Sequence, residues 1–533
     1  MASAAADMEV IDPKRDRLVI TASSLGTVFE WYDFFVYGIL ATLIGKLFFP
    51  GDNPTAATLA SLAIFGAGFG VRPLGAVLFG YFGDKIGRKY TFLVTITLMG
   101  VATAAIGLLP TFATAGVWAA GLLLLMRCLQ GLALGGEYGG AAIYVAEHAP
   151  RGRRGQYTSW IQASVAGGFL LAVLVVLATR AATTTEEFEA WGWRVPFLLS
   201  ILLLAISLWI RLKLSESPVF KAMKDAGTTS KNPFVDSFKY PGNVKRIFVA
   251  MFGVAAGLTV IYYTSQFYTL YFLTGTARVP EKDALVYMAI GAALAAPSYL
   301  VCGWLSDRYG RKRLLLIGYA LSMAFLFPLF HMMSDAANPA RERAIRNTPV
   351  TLSLPECEFN VLAAKHTSDC ARALNFLSKR GISYKKFEAS YVSLTVGEQE
   401  IGGFDEKSYV AALEDAGYPD KSNPAERSPW KIILAVALLV TLSGMTYGQV
   451  AAILVEMFPA RIRYTSMSIP YHIGTGYFGG FLPYISQYIV ARTGDSYAGL
   501  WYTFAVVAMA FTVSLIWLED NTGADLDGDV AAA

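Results

Sequence analysis

The sequence predicts an all-α membrane protein with twelve transmembrane helices in two pseudo-symmetric six-helix bundles and a small α+β insertion between helices 9 and 10. Three observations lead to this fold class. Apolar runs long enough to cross a bilayer recur along the 533 residues, two sequence blocks return in the second half, and one charged segment interrupts that half. Because 55% of the residues are hydrophobic and only 16% are charged, the composition excludes an ordinary soluble domain.

The apolar runs reach about 20 residues or more, which is the length that a helix needs to cross the hydrocarbon core. We predict twelve spans, at roughly 20–48, 57–82, 90–110, 115–146, 156–180, 193–213, 244–273, 284–306, 312–332, 429–457, 464–491 and 498–518. Residues 1–17 are polar and lead directly into the first run, so we expect no cleavable signal peptide.

Basic side chains in the short loops predict the orientation. They cluster in the loops after spans 2, 4, 8 and 10, at Lys85, Arg88, Lys89, Arg151, Arg153, Arg154, Arg308, Arg311, Lys312, Arg313, Arg461 and Arg463. All these loops lie on one side of the membrane, which the positive-inside rule makes cytoplasmic. Both termini are therefore expected in the cytoplasm.

The chain repeats itself at two places. GYFGDKIGRK (80–89) returns as GWLSDRYGRK (303–312), and GGEYGGAAIYVAEHAPRGRR (135–154) returns as GMTYGQVAAILVEMFPARIR (444–463). The offsets are 303 − 80 = 223 and 444 − 135 = 309, so about 309 − 223 = 86 residues are inserted between spans 8 and 10. Two parallel six-span halves are typical of transporters that rock about a site near the midplane.

This repeat predicts the domain organisation. We expect an N-terminal cytoplasmic segment (1–17), a first bundle (18–214), a cytoplasmic linker (215–243), a second bundle (244–332 and 429–518), an extracytoplasmic insertion (333–428) and a cytoplasmic tail (519–533).

The insertion is predicted to be a folded cap. Residues 334–428 hold 12 Lys or Arg and 14 Asp or Glu, and they follow span 9, which ends outside the cytoplasm. TSDCARALNFLSKRG and KSYVAALEDAG read as helices and ASYVSLTVG as a strand, which favours an α+β domain over a disordered loop. Cys357 and Cys370 fall in this segment, where a disulfide persists if it forms, but the spacing alone leaves bonded and free thiols open.

The repeated loop G-x-x-x-D-[KR]-x-G-R-K predicts a cytoplasmic gate. Asp84 and Asp307 can accept from amide donors and can pair with Arg88 and Arg311 or with basic residues of neighbouring helices. Such contacts would close the cytoplasmic face and break as the halves rock. The alternative is that the basic residues only set the topology, and two copies at equivalent places favour the gate.

The second repeated block adds two gate candidates. Glu147 and Glu456 each stand in an E-x-x-P sequence just before a basic loop. We expect both to pair with cytoplasmic arginines.

The twelve spans and the repeated loop resemble the major facilitator superfamily. A narrower resemblance, to its metabolite:proton symporter branch, rests on FEWYDFFVYG, VRPLGAVLFGYFGDKIGRK, RCLQGLALGGEYGGAAIYVAEHAP, WGWRVPFLLS, ESPVF and EMFPARIRYTSMSIPYHIGTGYFGGF. That branch comprises bacterial uptake systems for shikimate, 2-oxoglutarate, citrate, and proline or betaine. The resemblance implies a multi-pass transporter of the bacterial inner (plasma) membrane. The long insertion departs from the typical member, so the resemblance does not fix the substrate.

Two acidic residues lie near the middle of the first span, where a carboxylate in hydrocarbon is costly. Gly26, Glu30, Asp33 and Tyr37 recur at helical spacing and share one face. That face must line protein or water instead of lipid.

Span 4 offers a partner for these acids. Arg127, Gln130 and Glu137 share one helical face, and a buried carboxylate opposite a buried guanidinium is the least costly way to hold either. If the pair breaks during transport, Asp33 gains or loses a proton. The resemblance implies the same role, because the matching acid–arginine pair of related sugar porters is implicated in protonation. We predict Asp33 and Arg127 as the proton-coupling residues, followed by Glu30 and Glu137; the alternative is a static ion pair.

The second half has lost these titratable positions. The two offsets place Ala256, Val436 and Thr446 where the first half has Asp33, Arg127 and Glu137. We therefore predict a division of labour, in which the first half handles protons and the second contributes neutral contacts to the substrate. The candidate substrate-binding residues are Tyr37, Gln130, Tyr138, Tyr263, Gln266 and Tyr447; for any one tyrosine, plain packing between helices is the alternative.

Two residues rank lower. Arg72, in VRPLG, could meet an anionic substrate or could mark a helix kink at Pro73. His472 is a second proton-relay candidate, although a buried histidine is more often a structural hydrogen-bonding group.

The motifs also limit the class of function. The sequence carries no phosphate-binding Gly-Lys-Ser/Thr loop, no metal-spaced Cys/His cluster and no nucleophile elbow, so we expect neither an enzyme nor a cofactor or metal site. The expected partners are a small-molecule substrate, protons and the lipid bilayer, with no nucleic acid and a monomeric state. A facilitator, a proton antiporter or exporter of the same fold, and a membrane sensor that uses the insertion remain alternatives.

Overall fold

The computed structural model describes residues 13–86, 88–136, 138–150, 152–212, 233–524 and 526. Within these ranges, the side chains of 13–23, 81, 83–86, 88–89, 92, 211, 233 and 461 are not described. The described chain forms an N-terminal half (13–212), a C-terminal half (233–337 and 429–526) and an insertion (338–428) within the latter.

The N-terminal half is a succession of helices. They are α1 (Pro13–Ile39), α2 (Ala41–Phe48), α3 (Pro54–Gly70), α4 (Arg72–Ile86), α5 (Arg88–Leu108), α6 (Phe112–Ala115), α7 (Val117–Gly135), α8 (Tyr138–His148), α9 (Arg154–Ala182), α10 (Thr185–Glu187), the π-helical Phe188–Gly192, α11 (Arg194–Leu198) and α12 (Ser200–Leu212). Local sequence explains some helix ends: Asn53 caps α3 through a 3.2 Å bond from Ala56 N, and Pro54 takes the first helical position.

The C-terminal half follows the same plan. Its helices are α13 (Pro233–Lys239), α14 (Asn243–Phe248), α15 (Ala256–Tyr263), α16 (Thr269–Tyr271), α17 (Glu281–Ala295), α18 (Pro297–Tyr309), α19 (Arg311–Ala337), α23 (Pro429–Tyr447), α24 (Val450–Met457), the 3₁₀ turn Ala460–Ile462, α25 (Arg463–Ile473), α26 (Leu482–Thr493) and α27 (Leu500–Trp517). The predicted seventh span carries three π-helical segments (Val249–Ala255, Thr264–Tyr268 and Phe272–Thr276), and Gly474–Gly480 is a fourth. Segments of this kind are frequent at functional sites.

Eight helices of the described chain are long and apolar enough to cross a membrane, or ten if each of two bent pairs counts as one span. The bends are 59° between α1 and α2 and 41° near Trp193. The predicted spans 90–110 and 464–491 are helical as well: the first lies in the 21-residue α5, of which Leu93–Leu108 is the described apolar stretch, and a π-helical segment interrupts the second. The exact number of twelve stays a prediction. Large apolar side chains such as Trp118, Trp209 and Trp501 are exposed on the outside of the bundle, as lipid contact requires.

Glycines allow the helices around the midplane to pack closely. A Cβ atom on Gly131 would lie 1.8 Å from the carbonyl oxygen of Gly68, and one on Gly135 would lie 2.1 Å from that of Arg72. Helix α7 therefore touches α3 and α4 backbone to backbone, a packing that only small residues permit. This contact places the arginines of α4 and α7 on neighbouring helices.

Residues 338–428 fold into a four-stranded sheet with three helices. The elements are α20 (Pro339–Asn347), β1 (Val350–Leu354), α21 (Asp369–Lys379), β2 (Tyr384–Glu388), β3 (Ser393–Val396), β4 (Gln399–Gly402) and α22 (Glu406–Asp415). The strand order is β2-β1-β3-β4, with β1 parallel to β2 and antiparallel to β3. The two helices and the strand predicted from the sequence of this segment are present as α21, α22 and β3. Cys357 and Cys370 form a disulfide, with Cα atoms 6.6 Å apart.

Candidate functional site

The carboxyl group of Asp33 lies buried inside the N-terminal half. Ser200, the first residue of α12, donates a hydrogen bond of 2.5 Å from its hydroxyl to Asp33 Oδ1. A single hydroxyl is a weak partner for a buried charge, because a desolvated carboxylate needs a cation or several donors.

Arg127 is also fully buried, but it does not contact the Asp33 carboxyl. Its Nη1 donates to Gln130 Oε1 (2.8 Å) and, at longer distances, the guanidinium faces the carbonyls of Phe34 and Phe65. The rings of Phe34 and Tyr37 lie 4.0 and 4.5 Å from its central carbon. The expectation of a direct Asp33–Arg127 ion pair is thus wrong for this conformation: within the described chain no salt bridge joins them, because carbonyls, an amide and ring faces already surround the guanidinium.

Gln130 contacts both Arg127 and the backbone of Asp33 instead. While its Oε1 accepts from Arg127, its Nε2 donates to Thr103 Oγ1 (2.7 Å) and approaches the backbone oxygen of Asp33 (3.4 Å). Gln130, predicted to bind substrate, is therefore occupied as a structural link between the predicted proton-coupling residues.

The other first-half candidates divide into described and undescribed ones. Glu30 is buried near Asp33 on α1. Tyr37 donates from its hydroxyl to the carbonyl of Ser61 (3.1 Å). Glu137 lies outside the described residues.

The C-terminal half contributes a buried neutral surface. Tyr262 and Tyr263 are fully buried, with ring centroids 5.4 Å apart, and their hydroxyls have no hydrogen-bond partner among the described residues. Gln266 lies one turn further on, within a π-helical segment, and neither atom of its amide is paired. Gln449 and His472 are buried as well, and their side-chain polar atoms also have no hydrogen-bond partner among the described residues. Buried polar atoms are nearly always paired in proteins, so this group is exceptional.

An aromatic stack joins the two halves beside this surface. Tyr138 of the first half lies on Tyr471 of the second, with ring centroids 3.9 Å apart and planes at 8°. Gln162 donates to the Tyr138 hydroxyl (2.7 Å), and the hydroxyls of Tyr447 and Tyr471 are 3.0 Å apart. Both pairs are separated by 24 residues, and Tyr138 and Tyr447 are repeat equivalents. The sequence analysis missed Gln162 and Tyr471, which the 309-residue offset relates to each other.

We call the end of the bundle that carries Asp307 and Glu456 the motif end, and the opposite end the insertion end. At the motif end, reciprocal ion pairs cross between the halves: Glu147 Oε1 lies 3.5 Å from Arg463 Nη1, and Glu456 Oε1 lies 3.3 Å from Arg154 Nη1. Because the repeat relates Glu147 to Glu456 and Arg154 to Arg463, each half supplies one acid and one base to the same arrangement.

The predicted gate residue Arg311 joins this network within the second half. Its guanidinium bonds both oxygens of Glu456 and lies 3.2 Å from Asp307 Oδ1. Asp307 in turn accepts from the backbone N–H groups of Gly155 and Gln156 (2.8 Å each), at the start of α9 in the first half. The side chains of the equivalent Asp84 and Arg88 lie outside the described residues.

The chain's C-terminal segment covers this network. Arg154 donates to the carbonyl of Ala524 and Arg463 to that of Leu526 (3.1 Å). Arg154 and Arg463 therefore each contact both an acid of the other half and this short segment.

At the insertion end the contacts between the halves are sparser. Tyr271 donates to the carbonyl of Gly38 (2.6 Å), and Arg180 pairs with Glu281 (2.7 Å). The halves are thus in contact on both sides of the buried polar surface.

The insertion bridges the halves at this end. Asn53 of the first half donates to the carbonyls of Val361 (3.1 Å) and Ala363 (2.9 Å) in the insertion. On the other side, Ser383 of the insertion pairs with Ser496 of the second half (2.7 Å). A cavity of about 350 Å³ lies beneath, lined by both halves and by Ser378, Lys379 and Gly381 of the insertion. The insertion therefore roofs the junction between the halves.

The comparisons with known proteins concern both sequence and fold. The family described as "Sugar (and other) transporter" matches residues 18–345. The shikimate transporter of Escherichia coli is 38% identical over 331 residues, 61% of this chain and 74% of the relative. The proline/betaine transporter of Salmonella typhimurium is 36% identical, over 62% of this chain and 67% of the relative. The inner membrane metabolite transport protein YhjE of E. coli is 30% identical over 94% of each chain.

The fold is similar to that of solved transporters. The partially occluded, inward-open xylose transporter XylE from E. coli superposes with a TM-score of 0.62, over 96% of this chain and 100% of that one. A second XylE structure, bound to 6-bromo-6-deoxy-D-glucose, gives a TM-score of 0.64. At 16% and 15% sequence identity, these likenesses establish the fold alone.

Proposed function

This chain belongs to the sugar (and other) transporter family of the major facilitator superfamily, and from that premise we propose that it couples the uptake of a small organic acid or zwitterionic metabolite to protons. Its relatives are metabolite transporters, not enzymes, and the fold has two helical halves, which in transporters of this kind rock about a central site. Beyond transport itself, we propose proton symport, the substrate class and the roles of individual residues.

The observation that carries the proposal is the environment of Asp33. Its carboxyl is buried and, among the described residues, accepts a hydrogen bond from the Ser200 hydroxyl and forms no ion pair with Arg127, while Gln130 contacts both Arg127 and the Asp33 backbone. A rearrangement of Gln130 that brings Arg127 to the carboxyl would change how readily that carboxyl holds a proton. We assign proton coupling to Asp33 and Arg127, with Glu30 and Glu137 as supporting acids.

The gate follows from the motif-end network. Opening the motif end must break Glu147–Arg463, Glu456–Arg154 and the two backbone bonds to Asp307, so these contacts hold that side closed. Asp84 and Arg88 are the proposed equivalents on the other half. We assign the motif end to the cytoplasm by the positive-inside rule, which puts both termini there and the insertion, with its disulfide, outside the inner membrane of a bacterium.

The substrate is proposed to bind at the buried polar surface between the halves. Tyr263 and Gln266 carry unpartnered polar atoms there, while Tyr138 and Tyr447 belong to the adjoining stack. Tyr37 and Gln130 are paired internally and become available only if the helices rearrange.

The test is uptake by the full-length protein in proteoliposomes with an imposed inward-acid gradient, using labelled shikimate, 2-oxoglutarate, proline and glycine betaine. We expect accumulation that a protonophore abolishes. Asp33→Asn should abolish accumulation but retain exchange of labelled for unlabelled substrate, whereas the exposed control Asp415→Asn should behave as wild type. Gradient-independent equilibration by the wild type would mean a facilitator, and accumulation that needs a gradient of opposite direction would mean an antiporter.

A further inference from the structure

Arg72 is a buried cation that, like Arg127, pairs with no acid among the described residues. Its side chain is 1% exposed, and its guanidinium lies 5.3 Å from the Trp31 ring and 5.2 Å from the Phe69 ring. Neither Nε nor Nη2 has a hydrogen-bond partner in the described chain.

The other buried arginines within the membrane region are better satisfied. Arg154 and Arg311 share Glu456, Arg463 pairs with Glu147, and Arg127 bonds Gln130. A guanidinium in hydrocarbon without an anion is among the most costly states of a side chain, and ring faces offset only part of that cost. A site of this kind is stabilised when an anion binds.

The surroundings of Arg72 extend into the second half. The Phe69 ring that lies 5.2 Å from the guanidinium is 5.3 Å from the ring of Tyr263, and Tyr471, the neighbour of His472, stacks on Tyr138 of the first half. The charge of Arg72 acts on Tyr138 and, in the second half, on Tyr263, Tyr447, Tyr471 and His472. Among the described residues, the Tyr263 hydroxyl and both ring nitrogens of His472 have no hydrogen-bond partner. The first half thus presents a cation, and the second presents unused hydrogen-bonding groups, to one place between the halves.

We infer that Arg72 binds the carboxylate of the transported substrate, with Tyr263 and His472 completing the site from the second half. This inference rests on the proposed function and deepens it, because it names a substrate contact other than Arg127. The planar fork of a guanidinium matches a carboxylate with two parallel hydrogen bonds. Trp31 and Phe69 keep water from these bonds. Bound substrate would then neutralise Arg72 and bridge the halves.

Both a dicarboxylate and a betaine carry the required group, and the experiment separates them. The full-length protein in lipid nanodiscs is titrated calorimetrically with 2-oxoglutarate, shikimate, proline and glycine betaine, and with uncharged analogues such as prolinamide at high pH and dimethyl 2-oxoglutarate. The wild type is expected to bind at least one acid and to prefer it over its uncharged analogue by tenfold or more, on the order of the strength of charge-assisted bonds. Which acid binds distinguishes an organic acid from a zwitterion.

Arg72→Gln should weaken acid binding on the order of tenfold or more and reduce the preference for acid over analogue to near unity. The exposed Arg346→Gln is the control and should match wild type. Arg72→Gln should also leave the ligand-free unfolding temperature unchanged or raised, since it removes an unpaired buried charge. A purely structural arginine would lower that temperature and leave the preference intact, and that result would overturn the inference.

Arg72→Lys keeps the inference testable if Arg72→Gln does not fold. It retains the charge but loses the fork, so we expect several-fold weaker binding with the preference for acid retained; wild-type affinity would contradict a two-bond contact. Failure of the wild type to bind any of the four acids would also overturn the inference. Failure of the proposed function is distinguishable, because it shows as gradient-independent transport while the effect of Arg72→Gln on binding persists.

Discussion

The two halves of the molecule are alike at the motif end and unlike in the middle. At the motif end, repeat-equivalent acids and arginines form the reciprocal pairs Glu147–Arg463 and Glu456–Arg154. In the middle, buried charge belongs to the first half, and the second half offers tyrosines, glutamines and a histidine. The repeat is therefore preserved in the ion pairs that join the halves at the motif end, whereas the buried charges of the middle occur in the described residues of the first half.

The largest effect is expected at Glu456, which pairs with two arginines, whereas its repeat equivalent Glu147 is seen to pair with one. Glu456 binds both Arg154 and Arg311, so Glu456→Gln leaves the buried Arg154 without an acid and Arg311 with Asp307 alone, and should cost about 3–5 kcal/mol of stability. Glu147→Gln is the matched control and should cost less, because the described ion pairs of Glu147 involve one arginine, Arg463, which keeps its bonds to the Phe458 and Leu526 carbonyls. Thermal unfolding in detergent measures both. Equal losses would mean that the two halves of the gate are energetically equivalent after all.

The middle of the membrane tests the division of labour. Tyr263→Phe and Gln266→Ala each remove hydrogen-bonding groups from the second half, worth about 0.5–1.5 kcal/mol, so substrate affinity should fall roughly two- to tenfold. Because neither variant touches the first-half acids, protons should still drive accumulation. Concentration dependence of uptake gives the affinity, and Tyr287→Phe, on α17, serves as the control. Unchanged affinity in both variants would mean that Tyr263 and Gln266 only pack between helices.

The insertion end should respond more weakly. Asn53→Ala removes two neutral hydrogen bonds between the first half and the insertion, together with the N-cap bond of α3, so the first turn of α3 should fray and the contact should loosen by about 1–2 kcal/mol without unfolding the insertion. Hydrogen–deuterium exchange should rise in residues 359–366. Ser383→Ala, which affects a contact within the second half, should leave that segment protected. Faster exchange in both variants would mean that the insertion moves with neither half in particular.

The smallest effect is expected from pH, acting on the contact between Asn53 and the insertion. Burial lowers the pKa of His366, whose Nε2 lies 3.3 Å from Asn53 Nδ2. The folded form therefore disfavours the protonated ring, so the contribution of His366 is present above its ordinary pKa of about 6.5 and is lost as the pH falls below that value. Exchange in residues 359–366 should rise modestly between pH 7.5 and 5.5. The same pH response in His366→Gln would assign it to another group.

The sequence was most informative where it repeats. The offset of 309 residues identified Glu147 and Glu456 as gate candidates, and the structure adds that their partners are each other's repeat-equivalent arginines. Helical and alternating patterns likewise predicted α21, α22 and β3, and the structure adds that Ser368 and Asp405 cap the two helices. Local signals of this kind require no knowledge of distant neighbours.

Helical periodicity was insufficient for the charged centre. It correctly placed Asp33 and Arg127 on buried faces, but a face does not specify which group on it makes contact, and Gln130 intervenes. It also ranked Arg127 above Arg72, since the sequence does not reveal that Arg127 finds acceptors, whereas Nε and Nη2 of Arg72 find none among the described residues. Gln162 and Tyr471 are repeat equivalents at the 309-residue offset, but because one is a glutamine and the other a tyrosine, comparison of the two blocks does not match them.

The division of labour proposed for the two halves requires that the first half alone handles protons. The most direct measurement is substrate-induced proton entry into proteoliposomes at saturating substrate, followed with an internal pH-sensitive dye. Asp33→Asn should abolish proton entry while substrate exchange continues. His472→Gln should weaken substrate binding yet keep the wild-type ratio of protons to substrate. Loss of proton entry in His472→Gln, with coupling retained in Asp33→Asn, would contradict the claim and move the coupling site to the second half.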